Sequence, residues 1–399
     1  MRVLVNEIST WDGAKTGVGY YTTGLIDGLG GRGDLELAHY PPRWLGLTLA
    51  TWKRGRRWLP SRRGSSAALL TSEAQPSLKH RLLQRHFQRY SRQGKFDLYH
   101  EPNFIPFKCD LPTVVTIHDL SVLRHPEWHP IERVRHYEQR FQRGLADCAH
   151  ILTVSDFTRR EVIATLGQRP ERVTRSYNGV RSGMKKLPED AVRRTIHRLG
   201  LPPRYLLHVG TIEPRKNLAM LVQAFGSLTA RVRESCPLVL VGGWGWNHQD
   251  IGRLLEIAGP CLGVRHVGYL PERDLPAVYN GATALVFPSF YEGFGLPVVE
   301  MMACGGAVIA STAGVMPELM GLQAPLIDPL DINGWREAMI RVVTDADWRE
   351  QLRDGVIERA SQFTWHGCAE ETVKAYRAAL APRVPLRRAG WLEAGKRPA

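Results

Sequence analysis

The chain contains few cysteines, and they are not arranged to bind a metal or to form a disulfide framework. Six are scattered over 399 residues, and none falls in a paired metal-binding spacing. Such usage is typical of reduced thiols in a cytosolic protein. Because no other ligand cluster suggests a metal, we expect none as a cofactor. The six are Cys109, Cys148, Cys236, Cys261, Cys304 and Cys368.

Long hydrophobic runs are also missing. The longest apolar region, around residues 283–310, is interrupted by Glu292, Glu300 and several glycines, which excludes a membrane-spanning helix there. Residues 1–5 are typical of a buried strand and not of a signal peptide. These absences predict a cytoplasmic protein without a transmembrane segment.

Acidic residues are scarce between Arg43 and Arg92, where Glu73 stands alone against twelve basic residues. The net charge of the whole chain is +14, and this segment concentrates it. Basic residues mixed with tryptophans are typical of a surface that meets anionic lipid. We therefore expect the insert 43–95 to contact the inner face of the plasma membrane. Its tryptophans are Trp44, Trp52 and Trp58.

Within that insert, residues 78–92 predict an amphipathic helix because apolar residues recur on one stripe. The apolar stripe can pack on its own domain while the arginines face lipid. Packing of the helix on the protein and contact with the membrane are therefore compatible. The stripe residues are Leu78, Leu82, Leu83, Phe87 and Tyr90.

Strand-like and helix-like segments alternate in two series, which predicts an α/β chain with two doubly wound, parallel-sheet (Rossmann-like) domains facing a cleft. We place the domains at residues 1–185 and 186–365, followed by a helix at 366–381 that crosses back to the first domain and a flexible tail at 382–399. The predicted helices include 130–147, 218–233, 331–343 and 347–361. The predicted strands are 3–6, 35–40, 97–100, 113–118, 151–155, 173–177, 205–210, 238–242, 264–268, 283–287, 307–310 and 325–327.

Residues 288–300 carry the most informative motif, P-S-F-Y-E-G-F-G-L-P-V-V-E. An apolar strand precedes it and a helix follows it, so a glycine turn leads into a helix N-terminus. Free N–H groups and the positive end of the helix dipole suit a phosphate there. Glu292 is expected to face the ligand, and Glu300 to reach a hydroxyl beside the phosphate. The alternative is a plain strand–turn–helix unit with two solvated glutamates.

A second motif, G-T-I-E-P-R-K-N at 210–217, follows another predicted strand. Ligands bind at the carboxyl ends of strands in open α/β sheets, so Arg215 and Lys216 are expected to hold a pyrophosphate. Asn217 suits the N-cap of the next helix. The alternative is a basic loop that caps a helix.

Weaker signals complete the set. Gly17 and Gly19 predict a glycine turn at the cleft, although they form only half of a dinucleotide-binding fingerprint. His118 ends a predicted strand and either binds a sugar hydroxyl or pairs with Asp119. The Asp-x-Asp sequence at 345–347 is interpreted as a helix boundary, with Asp347 as the cap, and not as a metal site.

These motifs together resemble the retaining glycosyltransferases of family 4, which have the GT-B fold, and most of all the bacterial mannosyltransferases that build O-antigens and exopolysaccharides. The likeness runs through nearly the whole chain. It rests on G-V-G-Y-Y, T-I-H-D-L-S, L-T-V-S-D-F-T-R-R-E, Y-N-G-V, G-T-I-E-P-R-K-N-L, G-Y-L-P-E-R-D-L and F-P-S-F-Y-E-G-F-G-L-P-V-V-E.

The resemblance implies transfer of a hexose, with GDP-mannose favoured as donor, to a lipid-linked saccharide without a metal. The first domain would bind the acceptor and the second the donor. Glu292 and His118 would act at the donor sugar, and Glu300 would bind the ribose. Thr211 stands where many members place an arginine. The remaining donor-binding residues would be Lys216, Arg215, Phe294, Gly295, Leu296, Gly17 and Gly19.

Other functions stay open at this stage. The same fold could use a rhamnose, glucose or UDP-sugar donor, or could act as an epimerase or phosphorylase. The charge alone could also suit a protein that binds nucleic acid or an anionic surface, but no recognised nucleic-acid module is present, so we expect no nucleic-acid partner.

Overall fold

The computed structural model describes residues 1–11, 16–42, 44–46, 78–321 and 324–381. Most of the basic insert, including Trp52 and Trp58, and the predicted tail at 382–399 lie outside the described residues.

The first sheet consists of six parallel strands in the order β2-β1-β3-β4-β5-β6. Its strands are short and apolar, and three of the central ones are buried along their whole length, as parallel strands covered on both faces must be. The bounds are β1 Arg2–Asn6, β2 Glu36–Tyr40, β3 Leu98–Glu101, β4 Thr113–Ile117, β5 His150–Thr153 and β6 Val173–Arg175.

The second sheet also has six parallel strands, in the order β12-β11-β10-β7-β8-β9. The chain starts in the middle at β7, winds outward to β9, and returns to β10 on the other side. All twelve predicted strands and the predicted fold class are therefore confirmed. The bounds are β7 Leu206–Val209, β8 Leu238–Val241, β9 Val264–Gly268, β10 Ala284–Phe287, β11 Val308–Ser311 and β12 Leu326–Ile327.

Helices connect the strands on both faces. The α-helices are Gly17–Leu29, Leu78–Gln93, Ser121–Arg124, Ile131–Ala146, Asp156–Leu166, Glu189–Arg198, Leu218–Gly226, Ala230–Ser235, Gln249–Ile257, Gly259–Leu262, Leu275–Gly281, Leu296–Ala303, Met316–Met320, Ile332–Thr344, Ala346–Gln351, Val356–Ser361 and Trp365–Leu380. The 3₁₀ helices are Ile8–Trp11, Pro126–Trp128, Pro170–Arg172, Pro214–Lys216 and Glu272–Asp274.

Two helix predictions were wrong in the same way, because each joined two helices into one. The segment 218–233 divides after Gly226, and the segment 347–361 divides at Gly355, whose φ of 67° is incompatible with a continuing right-handed helix. The cap prediction was wrong by two residues. The Asp345 side chain, and not that of Asp347, accepts the hydrogen bond from the Trp348 amide.

The helix Trp365–Leu380 follows the second sheet in sequence but packs on the first. It contacts the helix Gly17–Leu29 and strands β4, β5 and β6. The Tyr376 hydroxyl lies 2.7 Å from His100 Nδ1, and the Ser176 hydroxyl donates to the Cys368 carbonyl at 2.9 Å. Because these polar groups are buried and paired, the contact fixes the helix in one register.

The helix Leu78–Gln93 packs only part of its predicted stripe. Phe87 is buried against Tyr40 and Tyr99, whereas Leu82 is 56% exposed and was wrongly assigned to the packed face. Trp44 lies beside this helix and is 60% exposed. Within the described part of the chain, no helix is both long and apolar enough to cross a bilayer.

Candidate active site

The site lies where the winding of the second sheet changes direction. Strands β7 and β10 are neighbours, but the chain leaves them toward opposite edges of the sheet. A crevice forms at the carboxyl ends of such a strand pair, and ligands bind there in open α/β sheets. The loop after β7 carries the 3₁₀ helix Pro214–Lys216, and the loop after β10 carries Glu292. The fold thus brings the two strongest sequence motifs together.

Glu292 joins the two predicted cations in one buried network. Its carboxylate oxygens lie 2.5 Å from Lys216 Nζ and 2.7 Å from a terminal nitrogen of Arg215. Burial opposes ionisation of Glu292, but Arg215 and Lys216 outweigh it and lower its pKa to about 2. Glu292 is therefore a carboxylate at neutral pH, and it forms an ion pair with each of the two cations.

Arg215 is fixed by more than this one contact. Its guanidinium also pairs with Glu213 at 2.5 Å and donates to the Tyr291 carbonyl at 3.1 Å. Burial opposes its charge, yet Glu213, Glu292 and Asp119 together raise its pKa. The main chain continues the contact, since the Phe290 amide donates to the Arg215 carbonyl at 2.8 Å. The loops after β7 and β10 therefore form one rigid unit.

Asn217 follows these cations and occupies the N-cap position, as predicted, but its side chain does not cap the helix. It stands at the N-cap position of the helix Leu218–Gly226 with a left-handed φ of 57°, and its side chain makes no capping bond. The amide group donates instead to the carbonyls of Pro288 and Pro329, at 3.2 and 2.7 Å. Asn217 thus ties the loop after β7 to the loops after β10 and β12.

The predicted glycine turn leads into the helix Leu296–Ala303. Gly295 is the N-cap and has a φ of 102°, a conformation that residues with a side chain rarely adopt. Phe294 is buried before it, and Leu296 opens the helix. The helix N-terminus therefore adjoins the Glu292 loop, so its N–H groups and dipole can act on an anion held there.

The first half of the chain closes against this turn. The Ser155 hydroxyl donates to the Gly293 carbonyl at 2.6 Å, across the boundary between the two sheets. In the reverse direction, the Glu318 carboxylate accepts the amides of Asp156 and Phe157, at 2.7 and 2.8 Å. Glu318 thereby occupies the N-terminus of the helix Asp156–Leu166 and links the two halves.

His118 follows β4 on the first half, and its main-chain oxygen adjoins Gly293 of the Glu292 turn. Its Nε2 lies 2.8 Å from the Pro102 carbonyl, which can only accept, so Nε2 carries the proton. Burial lowers the pKa of the imidazole, which keeps it neutral. Asp119 accepts the amide and hydroxyl of Ser121, at 2.9 and 2.7 Å, and does not pair with His118. The alternative of a His118–Asp119 pair was therefore wrong.

Asp119 is linked through Ser121 to His129, a residue that the sequence analysis did not identify. The Ser121 hydroxyl donates to Asp119, so it accepts from His129 Nε2 at 3.1 Å. That bond leaves His129 Nδ1 as a buried nitrogen with no hydrogen-bond partner among the described residues. Burial and the nearby Arg133 lower the pKa of His129 to about 4. This wall of the cleft is thus polar and uncharged at His129.

Glu300 lies one turn into the helix Leu296–Ala303 and is completely buried. Arg181, from the segment between the two sheets, pairs with both of its carboxylate oxygens, and the Tyr279 hydroxyl donates to it at 2.8 Å. The expected ribose-binding carboxylate is therefore engaged by an arginine.

The predicted glycine turn at Gly17 and Gly19 was wrong, because both residues belong to the first turn of the helix Gly17–Leu29. Gly17 has free space beside its Cα, whereas Gly19 is buried. Thr211 is exposed in the loop after β7. Across residues 1–11, 16–42, 44–46, 78–321 and 324–381, no group of three or more histidine, cysteine or acidic side chains is placed to hold a metal.

Comparison with known proteins assigns the family. Residues 17–182 match the family model Glycosyltransferase Family 4, and residues 192–361 match Glycosyl transferases group 1. The chain is 35% identical to the O-antigen chain mannosyltransferase B of Escherichia coli over 289 residues, which cover 72% of this chain and 75% of that protein. The chain belongs to glycosyltransferase family 4. It is therefore an enzyme that transfers a sugar, as the sequence predicts.

Two further relatives extend the comparison. This glycosyltransferase is 28% identical to the serotype-specific mannosyltransferase WbdA of Escherichia coli over 68% of its own length, which covers only 34% of that longer protein. Its structure superposes on Anabaena Alr3699/HepE, solved with UDP and glucose, with a TM-score of 0.69 and 16% identity, covering 95% and 100% of the two chains. The likeness to solved glycosyltransferases confirms the predicted GT-B fold.

Proposed function

We propose that this glycosyltransferase transfers mannose from GDP-mannose to a hydroxyl of a lipid-linked glycan during the synthesis of a cell-surface polysaccharide. The observation that carries the proposal is the convergence of Arg215 and Lys216 on Glu292 at the carboxyl ends of β7 and β10. Two cations beside a helix N-terminus are the chemistry that a diphosphate needs. The names of the Escherichia coli relatives support mannose and an O-antigen product.

In the proposed complex, the donor diphosphate displaces the Glu292 carboxylate from Lys216 and Arg215. The amides around Phe294, Gly295 and Leu296 add to the anion site. Glu292, freed from one or both cations, then faces the anomeric carbon and stabilises its developing positive charge. Glu300 binds the ribose hydroxyls.

The first half of the chain contributes the acceptor site and the His118 side chain, which lies beside the donor sugar. His118 Nε2 is held by the Pro102 carbonyl, so its other nitrogen has a defined orientation as an acceptor for a sugar hydroxyl. Gly17 and Gly19 allow close approach of the substrates at the start of the helix Gly17–Leu29. Thr211 lies at the rim without a charge, so Arg215 and Lys216 carry the diphosphate.

The proposed reaction retains the anomeric configuration. The bond between the anomeric carbon and the phosphate oxygen breaks, and the bond to the acceptor oxygen forms on the same face. The acceptor proton passes to the departing phosphate oxygen, so no side chain needs to act as base and no metal is required. Closure of the two halves excludes water and limits hydrolysis of the donor.

We also propose that the enzyme works at the cytoplasmic face of the plasma membrane. The helix Leu78–Gln93 supports this location, because four of its arginines and Leu82 are exposed and its His86 contacts the exposed Trp44. Indole and guanidinium groups on one surface suit anionic headgroups. The exposed arginines are Arg81, Arg85, Arg89 and Arg92.

A donor panel tests the proposal. The purified enzyme is incubated with GDP-mannose, dTDP-rhamnose, UDP-glucose or UDP-galactose and with a lipid-pyrophosphate oligosaccharide, and the product is identified by mass spectrometry. We expect nucleoside diphosphate release that depends on the acceptor with GDP-mannose, and an α-linked product by NMR. Transfer from another donor would reject mannose, an inverted product would reject retention, and equal release with and without the acceptor would reject the lipid-linked acceptor.

A further inference from the structure

Arg181 forms a close ion pair with Glu300. While this pair is formed, a ribose hydroxyl cannot approach the carboxylate as closely. Its guanidinium pairs in a bidentate manner with the carboxylate, with one of the two nitrogen–oxygen distances at 2.6 Å. Arg181 side-chain exposure is 10%, and that of Glu300 is zero. Burial opposes the charge on Arg181, but Glu300 raises its pKa, so the guanidinium stays charged.

The carboxylate has little capacity left for a further donor. A carboxylate offers about four lone-pair sites. Arg181 uses two of these, and the Tyr279 hydroxyl uses a third. A pair of vicinal hydroxyls that binds Glu300 therefore needs the two positions that Arg181 holds. Because Glu300 has no solvent contact, the hydroxyls also need the space that the guanidinium fills.

The chain around Arg181 is fixed, so the exchange must take place at the side chain. The Val180 amide donates to the Phe363 carbonyl at 3.0 Å. Further along, the Asn280 side chain accepts the Leu187 amide at 3.0 Å and donates to the Lys185 carbonyl at 2.9 Å. These bonds attach the connecting segment to the second half of the chain on both sides of the arginine.

The Tyr20 ring can hold the Arg181 guanidinium after it leaves Glu300. Arg181 stacks on Tyr20 of the first half at 4.2 Å from the ring centre, and the Tyr20 hydroxyl lies 3.0 Å from that of Tyr269 after β9. Cation–π contact with Tyr20 does not require Glu300. The arginine can therefore leave the carboxylate while it remains against the ring.

From this arrangement we infer that Arg181 competes with the donor ribose for Glu300 and thereby sets the affinity of the site for the nucleotide. Binding of a nucleoside diphosphate exchanges the guanidinium for the vicinal ribose hydroxyls. The apparent affinity is reduced by the fraction of molecules in which Arg181 holds the carboxylate. This inference rests on the ribose role of Glu300 in the proposed function.

The sign of one substitution tests the inference. In Arg181→Gln, the bidentate pair is lost, and we expect GDP or UDP, whichever the wild type binds, to bind about ten-fold more tightly by calorimetry, because the competitor is removed. The gain should vanish with the 2′,3′-dideoxy nucleotide, which has no ribose diol. Weaker binding would make Arg181 a direct contact of the donor, and unchanged binding would show that the pair does not oppose the nucleotide. Either result overturns the inference.

Two further variants keep the test decisive. Arg198→Gln is a matched control, since Arg198 pairs with the buried carboxylate of Asp274 at 2.6 Å and not with Glu300. If Arg181→Gln does not fold, Tyr20→Leu removes the ring that the displaced guanidinium contacts without changing a charge at Glu300. The intact nucleotide should then bind more weakly than to the wild type, and the dideoxy nucleotide equally well; tighter or unchanged binding of the intact nucleotide would count against the inference.

A separate measurement distinguishes failure of the inference from failure of the proposed function. Glu300→Gln should weaken binding of GDP or UDP in an otherwise wild-type chain. If that binding is unaltered, the ribose role itself is wrong. If it weakens while Arg181→Gln has no effect or the opposite sign, only the competition is wrong.

Discussion

The main-chain oxygen of His118 lies 1.7 Å from the point where a Cβ atom on Gly293 would stand. His118 directly follows strand β4 of the first sheet, and Gly293 belongs to the turn that carries Glu292 in the second half. The main chain at His118 therefore contacts the main chain at Gly293 across the cleft. This contact lies beside the residues that we assign to the reaction. Position 293 has no room for any side chain in this closed arrangement.

Gly293→Ala should therefore hold the two halves apart. Since displacements of about 1 Å can reduce catalysis about 100-fold, we expect a loss of that order in kcat, together with a larger radius of gyration in X-ray scattering with donor bound. Gly33→Ala is the matched control, because its added methyl group meets open space. Normal turnover of Gly293→Ala at unchanged compactness would disprove the importance of this contact.

Lys216→Met should lower kcat by about 100- to 1000-fold, because the cation stabilises the charge that develops on the departing diphosphate. Steady-state rates with a saturating acceptor measure the effect, and the melting temperature separates it from unfolding. Lys374→Met removes a lysine from an exposed pair with Glu371 at 2.7 Å and serves as the control. Equal losses of activity in the two variants would contradict the diphosphate role of Lys216.

Glu101 makes the stability of the first half sensitive to pH. Burial raises the pKa of this carboxyl from 4.5 to about 7, although hydrogen bonds from Tyr99, Asn6 and the Asn103 amide oppose the shift. The folded state therefore holds the proton more tightly than the unfolded state. The stability gained from the proton is fully present below pH 4.5 and is lost as the pH rises through about 7.

Glu101→Gln keeps the shape of the carboxyl group without the titration. Its melting temperature, relative to that of the wild type, should therefore rise between about pH 5 and pH 8. Glu138→Gln, at an exposed position, is the control. A constant difference between Glu101→Gln and the wild type across this range would show that Glu101 does not titrate there.

Replacing Arg85 and Arg89 by glutamine should weaken binding to vesicles that contain anionic lipid, by about 1 kcal/mol for each charge near the surface. The loss should be larger at low salt than at high salt, because counter-ions screen the attraction. Flotation of vesicles with and without phosphatidylglycerol measures it. The double variant of Arg231 and Arg253, which are exposed on the second half, is the control. Equal flotation of both variants would reject the membrane face.

The fold was predictable because each strand of a covered parallel sheet is a short apolar run followed by a turn. The same rule located Lys216 and Glu292, since residues at the carboxyl ends of neighbouring strands must meet. Helix ends were less predictable. At Asn217 a side-chain amide bonds to two distant loops, and these tertiary bonds outweigh the local preference of asparagine for capping.

Site residues that come from distant parts of the chain could not be predicted from the sequence. Arg181 lies 119 positions before Glu300, and nothing in its neighbourhood marks it as buried. His129 likewise gains its meaning from Ser121 and Asp119, which only the turn after β4 brings to it. A lone arginine or histidine in a basic chain is usually solvated, so local pattern gives no reason to select either residue.

The return of the helix Trp365–Leu380 to the first sheet has a consequence for biogenesis. During synthesis, strands β1–β6 leave the ribosome long before Tyr376. The imidazole of His100 therefore lacks the Tyr376 hydroxyl as a partner until the second half has been synthesised. When residues 1–185 are expressed alone, the apolar surface that this helix covers is exposed. The fragment should then be prone to aggregation. Supplying residues 364–381 as a separate peptide should rescue its solubility.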